Sequence, residues 1–576
     1  MPSISPRAWY ISKLTLLLLS LSLTVYYLFS ASSIASTDYK ELYKIAVNGK
    51  KSLFIESVLD SEIDGRYDNK TLIALCESTT WTPGLIFRCE VPQGGVANIR
   101  NIILNCVRYT ILAGATAFVL PELLLPLPND PKKSTPVPLS HLFDTPHFIT
   151  TFTTSCPRIQ IYNHINDLFD KPSTSKPAII SPASISTSPL LLSSILSNPS
   201  NWTSDFKIAL NATHPKPPTA AKPILVSLKA PIMEFPLSYD DPLFISSFGR
   251  ILRFREDVRR LAATVLYALS QKHSLDLSFP SKGGIQGGKF LGAHLRTGPD
   301  AKAAGWTPGE VQIGNYLSLA ESSKVGTIFV SAIDPSGLQS FIDTAASQTS
   351  TGNGTKIEIE TKDTLLGGEL APGTFVRPGA KGYEEEWKEL RALNWDQQLL
   401  VDYEVLLRSS IFGGVWESTF SWNVMMRRHV VRWDGVWKDN IDLRRPSSDP
   451  ADLNPLDRRG ENAETSTSGF WGNGKHHDPS SSSSFLQNSS PNEKRAEEEK
   501  KVEIVLPPAK PEMLPSAKEL ELYTEEEARK RMTPTSESQM MREREVKVGD
   551  VSWGDGLSVV YGPKGEGGRV RGSLWP

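Results

Sequence analysis

The stretch "GAHLRTGPD", positions 292–300, sets a histidine, an arginine and an aspartate close together behind the apolar approach Phe290-Leu291-Gly292-Ala293. A buried strand whose tip ends on His294 and Arg296 is the simplest reading. A guanidinium is always charged and presents a planar fork of donors that matches two phosphate oxygens, so the expected chemistry is anion binding. The competing use of Arg296 is an ion pair with Asp300, four residues on. A second apolar run, "GTIFVSAI", ends at Asp334, and "STFSWN" puts Ser418, Thr419, Phe420 and Ser421 where a helix opens. Hydroxyls at a helix start cap it or join its backbone N–H groups in holding an anion; the two uses are compatible. A third candidate is "GGVANIR": Gly94 and Gly95 allow close approach to the backbone, the helix that follows favours an anion, and Asn98 and Arg100 add polar reach. A plain tight turn is the alternative there.

Something must hold these groups together, and the apolar periodicity says what. Leu85–Val91 suits a strand and Thr116–Leu120 another; between them Ile99, Ile102/Ile103, Cys106/Val107 and Ile111 recur at helical spacing, closed by Gly114. This is a βαβ unit. The style returns later. Helical patterns at 254–269, 311–322, 336–346, 396–407 and from 418 onward alternate with strand-like runs at 289–295, 326–333, 356–360 and 411–415. Alternation of this kind predicts parallel sheets with crossover helices: an α/β fold of two Rossmann-like domains facing a cleft, at 71–250 and 251–445. Ligands in such sheets bind beyond the carboxyl ends of the strands, where His294, Arg296, Asp334 and Ser418 would all stand.

In their order and spacing these motifs resemble the GDP-fucose protein O-fucosyltransferase superfamily, of a divergent, fungal-type kind. "GGVANIR" with its helix and "FVLPEL", the His-x-Arg-x-x-x-Asp pattern of "AHLRTGPD", and "VDYEVLLRSSIFGGVWESTFSWNVMMRRH" carry the resemblance over roughly 80–435. It implies a GT-B-like architecture and an inverting glycosyltransferase with GDP-fucose as donor and no required metal. Arg296 then falls in the catalytic role. Donor binding falls to Gly94, Gly95, Asn98, Arg100, His294, Asp300, Asp334, Ser418, Thr419, Phe420 and Ser421. One departure stands out. Some relatives carry a glutamate in the first glycine turn as base toward the acceptor, and here Gly94-Gly95 occupies the equivalent place. Glu417 adjoins the phosphate turn, but a base should face the acceptor. The acceptor is a protein or glycan hydroxyl. A non-catalytic lumenal GDP-sugar-binding or scaffold protein is the alternative function.

The ends of the chain set the context. Leu14–Phe29 carries no charge, and extended through the small residues to Ile34 it is long enough to span a bilayer as a signal anchor. A cleaved signal peptide is the alternative. Arg7 and Lys13 precede the span and Asp38 is the first charge after it, which predicts a cytosolic N-terminus, residues 1–13, and a type II orientation in the Golgi or ER membrane. Residues 35–70 read as a stem. Sequons follow at Asn69, Asn201, Asn211, Asn353 and Asn488. Cys76, Cys89, Cys106 and Cys156 either form two bridges, in one of three pairings, or remain buried thiols. Residues 446–548 are rich in Ser, Pro and charge and read as disordered, whereas "VSWGDGLSVVYG" and "GSLWP" in 549–576 read as a segment returning to dock on the core. A net charge of −2 gives no reason to expect nucleic acid as a partner.

Overall fold

The computed structural model describes residues 17–22, 49–90, 94–127, 130–182, 199–231, 235–277, 284–350, 356–368, 379–432, 546–563 and 573–576. The tail expected to be disordered lies outside them up to residue 545. So does most of the 14–34 span, of which only 17–22, helical, is described. Among the described residues no helix is long and apolar enough to cross a membrane.

The first lobe contains, in chain order, β1 (Thr82–Cys89), β2 (Ala115–Val119), an antiparallel hairpin of β3 (Leu123–Leu127) and β4 (Asp130–Val137), then β5 (Gln160–Tyr162), β6 (Ala178–Ile180) and β7 (Ile224–Leu228). Apart from the hairpin these strands form one parallel sheet in the order β5-β2-β1-β7-β6. Its middle strands are buried on both faces, so Leu85, Ile86 and Phe87 are consecutive core residues, as parallel sheets covered by helices require. The second lobe contains β8 (Leu291–Leu295), β9 (Thr327–Ala332), β10 (Glu358–Glu360), β11 (Ile411–Val415), β12 (Val551–Gly554) and β13 (Ser558–Tyr561). They line up as β10-β9-β8-β11-β13-β12, parallel except for the final β12–β13 pair. Both sheets change direction at a central strand. The chain leaves β1 for β2 on one side and returns to β7 on the other, and it leaves β8 for β9 and returns to β11. Such switch points open a crevice at the carboxyl edge. "GGVANIR" follows β1, Arg296 follows β8, and Ser418 follows β11.

Six helices matter to the site: α1 (Val96–Leu112), α2 (Glu256–His273), α3 (Gly309–Ser322), α4 (Pro335–Ser350), α5 (Trp395–Leu407) and α6 (Thr419–Arg432). The apolar stripe predicted for α1 is real, but the opposite face is buried too: Arg100, Asn101, Asn105 and Arg108 are each 3% exposed or less. For Arg100, Asn101 and Asn105 the reason is residues 573–576, whereas Arg108 is paired with Asp240. Trp575 is fully buried among Phe235, Phe244 and Phe248, and its indole N–H donates to Asn105 Oδ1 at 2.6 Å. Arg100 donates to the carbonyl oxygens of Trp575 (2.9 Å), Gly249 (2.7 Å) and Pro576 (2.7 Å). Asn423 on α6 donates to the same Trp575 oxygen at 2.8 Å.

A second tie comes from within the stretch read as a stem. Glu62 and Asp64 are buried against Arg427 of α6, at 2.6 and 3.1 Å, and against Arg250, at 3.5 and 3.3 Å. Burial pushes the Glu62 carboxyl up, but Arg427 and Arg250 outweigh it and hold it far below the usual carboxylate range. The four cysteines are all bridged, as Cys76–Cys156 and Cys89–Cys106.

Truncating an aromatic side chain this deeply buried costs about 3–5 kcal/mol. Trp575→Ala should therefore shift the denaturant midpoint markedly without changing its secondary structure content. An unchanged midpoint would mean that residues 573–576 are not part of the core.

Candidate active site

The tip of β8 and the first turn of α6 meet through His294. Its Nδ1 and Ser421 Oγ share a hydrogen bond of 2.8 Å, and the Ser421 oxygen also accepts from Val415 N at 3.1 Å. The imidazole lies on the ring of Phe420, with centroids 4.6 Å apart, and Tyr316 Oη donates to the His294 carbonyl at 2.7 Å. Burial, reinforced by Arg296, pushes the His294 pKa down to about 3, so the ring is neutral at physiological pH.

Arg296 stands just beyond, its side chain about one-fifth exposed, and its guanidinium pairs in bidentate fashion with Asp300. It also lies over the Trp306 ring, 5.4 Å from the centroid. A Cβ on Gly298 would come within 2.9 Å of Arg296 Nη1 and 2.8 Å of Asp300 Oδ1, so glycine is what lets the two side chains close over the turn. Burial pushes the Asp300 carboxyl up, but Arg296 outweighs it and holds the net value below the usual range.

The hydroxyls at the start of α6 divide the work. Ser418 Oγ accepts from Ser421 N at 3.4 Å, which caps the helix. Ser421 is wholly buried and engaged with His294, and Phe420 is packed against His294 and Tyr403. Neither Ser421 nor Phe420 is placed as the sequence led us to expect for direct donor contact. Among the described residues Thr419 makes no side-chain hydrogen bond, so it is the hydroxyl of this turn left open to a ligand. Asp334 is a further correction. It caps α4 through Ser336 N (3.1 Å) and Ser336 Oγ (2.8 Å) and accepts from Thr297 Oγ1 at 3.1 Å, so it shapes the Arg296 turn from behind.

In the first lobe Gly94 has φ of 110°, a backbone conformation that side chains other than glycine rarely adopt. Gly95 precedes α1, whose first turn no side chain caps. Asn98 Oδ1 is buried without a hydrogen-bond partner. A Cβ on Gly95 would meet no atom within 4 Å, and these groups stand at a helix start that could take an anion. Arg100 does not: its guanidinium is buried on residues 573–576 and on Gly249, and burial pushes its pKa down to about 10. The helical periodicity places Arg100 two residues, about 200°, round the helix from Asn98 but cannot reveal that another segment covers that face.

Several residues near the site take roles that the sequence motifs did not assign. Gln312 on α3, Thr307 and Glu417 link the Arg296 turn to α6. Asp402 on α5 is buried with Lys362 Nζ at 2.9 Å and Ser331 Oγ at 3.0 Å, beside the end of β9. An open cavity of 510 Å³, lined by Ser140, His141, Phe143, Asp144, Arg255 and Glu256 among others, lies apart from these residues. A run of touching rings, Phe143, Phe254, Tyr403, Phe420 and His294, connects it to the site. Among the described residues no group of three or more His, Cys, Asp or Glu side chains could hold a metal ion. Of the sequons, Asn201 and Asn211 are exposed on a helix, Pro199–Thr213. Asn69 Nδ2 donates to Ser155 Oγ at 2.9 Å, and Asn353 and Asn488 lie outside the described residues.

A histidine whose pKa is depressed on folding binds fewer protons folded than unfolded, so its contribution to stability is lost as pH falls from its ordinary value of about 6.5 toward 3. His294→Asn should lose less stability than wild type between pH 7 and pH 5, measured by denaturant unfolding at both values. Parallel losses would show that His294 is not buried in neutral form.

Comparison with known proteins places this geometry in context. Residues 85–313 match the family model described as GDP-fucose protein O-fucosyltransferase. No curated protein matches the chain. Among solved structures, POFUT1 in complex with GDP-fucose is similar at 13% identity over 60% of this chain and 95% of its own, with a TM-score of 0.34. A mutant of Arabidopsis thaliana FUT1 in complex with GDP is similar at 10% identity over 62% of this chain and 71% of its own, with a TM-score of 0.31.

Proposed function

The chain is O-fucosyltransferase-like over residues 85–313, and on that premise we propose that it is an inverting glycosyltransferase of GT-B architecture that transfers fucose from GDP-fucose to a hydroxyl of a protein or glycan acceptor. The observation that carries this reading is the junction of Arg296 with the opening turn of α6, made through the His294–Ser421 hydrogen bond.

As the acceptor oxygen bonds to the sugar carbon, the bond from that carbon to the diphosphate breaks, its electron pair stays on the GDP oxygen, and the proton of the acceptor hydroxyl passes to water. Charge therefore grows where Arg296 can meet it, and a preorganised cation there acts more on the transition state than on the bound donor. The first turn of α6, with Thr419, adds donors to the same diphosphate. Gly94, Gly95 and Asn98 line the donor from the first lobe. Neutral His294 keeps a second positive charge away from Arg296 and holds its strand tip in place. The reading invokes no metal, because the guanidinium supplies the charge.

Arg296 must release Asp300 to take up the diphosphate. The Asp300 side chain is 67% exposed, and pairs at the surface are worth only about 0–1 kcal/mol, so water readily accepts it back. A second reading, a GDP-sugar-binding module without turnover, draws on the filled Arg296 fork and on the lack of a carboxylate in the Gly94-Gly95 turn.

The proposal extends to location: a single-pass type II protein of the Golgi or ER membrane with the catalytic region lumenal. The charge-free Leu14–Phe29 behind Arg7 and Lys13 supports it, as does the pairing of all four cysteines, which suits an oxidising compartment. In sealed microsomes, added protease should spare everything beyond residue 34, and glycosidase should lower the mass, by less once Asn201 and Asn211 are replaced. Digestion of the C-terminal region would reverse the orientation.

Removing one charge-stabilising group typically costs about 10²–10³ in rate. Arg296→Ala should lose transfer or donor hydrolysis on that scale while its melting temperature stays near that of wild type. Arg296→Lys should rescue poorly, since an ammonium cannot reproduce the fork. Wild-type turnover in both variants would refute the assignment, and a wild type that binds GDP-fucose without turning it over would favour the binding module.

A further inference from the structure

Arg296 and the first turn of α6 sit on segments more than a hundred residues apart, and a closed set of hydrogen bonds spans them. Arg296 N–H donates to Gln312 Oε1 at 2.9 Å, and Gln312 Nε2 donates back to the Arg296 carbonyl at 3.0 Å. The same Nε2 donates to the Thr307 carbonyl at 2.6 Å. Thr307 then donates twice to Glu417 Oε1, from its backbone N–H at 2.7 Å and from its hydroxyl at 2.9 Å. Glu417 directly precedes Ser418, the cap of α6.

We propose that Gln312 and Glu417 are positioning residues that, through Thr307, fix the Arg296 guanidinium relative to the opening turn of α6. The inference rests on the donor-site reading above and deepens it. Three features support it beyond the distances. Gln312 is 2% exposed and Thr307 5%, so water does not compete for these bonds. The loop they hold, 296–307, carries both Asp300 and Trp306, the two side chains against Arg296. Glu417 Oε2 is buried without a hydrogen-bond partner, and burial pushes the carboxyl up; an unpartnered buried polar atom is costly, so the chain keeps this side chain against a penalty that a smaller residue would avoid.

Misplacing a catalytic group by about 1 Å can cost on the order of 10²-fold in rate. Gln312→Ala and Glu417→Ala should each lower GDP-fucose turnover about 10- to 100-fold, with a much smaller change in GDP affinity measured by calorimetry. Glu417→Gln keeps an oxygen for Thr307 and should retain wild-type turnover. Because both side chains act on one loop, the double variant should be no worse than the poorer single variant. Hydrogen exchange of residues 296–307, measured without ligand, should speed up in both alanine variants and stay protected in Glu417→Gln. Unchanged turnover and exchange in the alanine variants, additive losses, or a loss that follows melting temperature alone would overturn the proposal. If wild type neither binds GDP nor turns over GDP-fucose, the functional reading falls. Exchange then decides the tie by itself: faster in the alanine variants supports it, unchanged refutes it.

Discussion

One carbonyl oxygen, that of Trp575, accepts from Arg100 on α1 and from Asn423 on α6. These two helices open on the two halves of the candidate site, one in each lobe. Their spacing therefore depends on four residues at the far end of the sequence, held by the indole ring among Phe235, Phe244 and Phe248. A buried arginine is tolerable only when its donors are met, and here three carbonyls meet them. Removing the segment would leave Arg100, Asn101 and Asn105 facing a void. The buried Glu62 and Asp64, paired with Arg427 and Arg250, hold the same joint from the opposite end of the chain.

Against that fixed frame the site is built from backbone ends rather than from a dense set of charges. Both sheets reverse direction at their central strands, β1 and β8, and each reversal opens onto a helix start. The polar side chains nearest these openings mostly hold other protein groups: Ser421 holds His294, Ser418 caps α6, and Asp334 caps α4. What remains outward is small: the Arg296 guanidinium, the Thr419 hydroxyl and the Gly94-Gly95 turn. Such economy fits a diphosphate, whose oxygens are satisfied by one forked cation and backbone donors.

The pairing of Arg296 with Asp300 illustrates how a site can be ready yet closed. The carboxylate keeps the planar fork aimed, Trp306 supports its face, and Gly298 leaves room for the turn. Because Asp300 is far more exposed than Arg296, a competing anion that arrives with several oxygens faces a partner that water can take back. Neutral His294 contributes by staying neutral; a second cation at that depth would oppose the first.

The alternation of apolar runs was enough to locate β1, α1 and β2, and the elements from α2 to α6, because helical and strand periods are set locally by which face must be buried. It also placed Arg296 and the opening turn of α6 beyond the ends of β8 and β11, since charge at a strand tip is visible as a break in an apolar run. The pairing of β13 with β11 was open to no such reading, because the partners lie some 145 residues apart and only the alternation within "GLSVVYG" hinted at a strand. Arg100 shows the limit most plainly. Its place on the helix follows from periodicity, but whether that face meets a ligand, water or another segment depends on what packs there, and the aromatic character of "GSLWP" announced docking without saying that Trp575 and Pro576 would land on Arg100. Likewise nothing near Gln312, Thr307 or Glu417 marks them as linked. Side chains whose function is to hold one another are defined by distance in space, and only the tertiary structure supplies that distance.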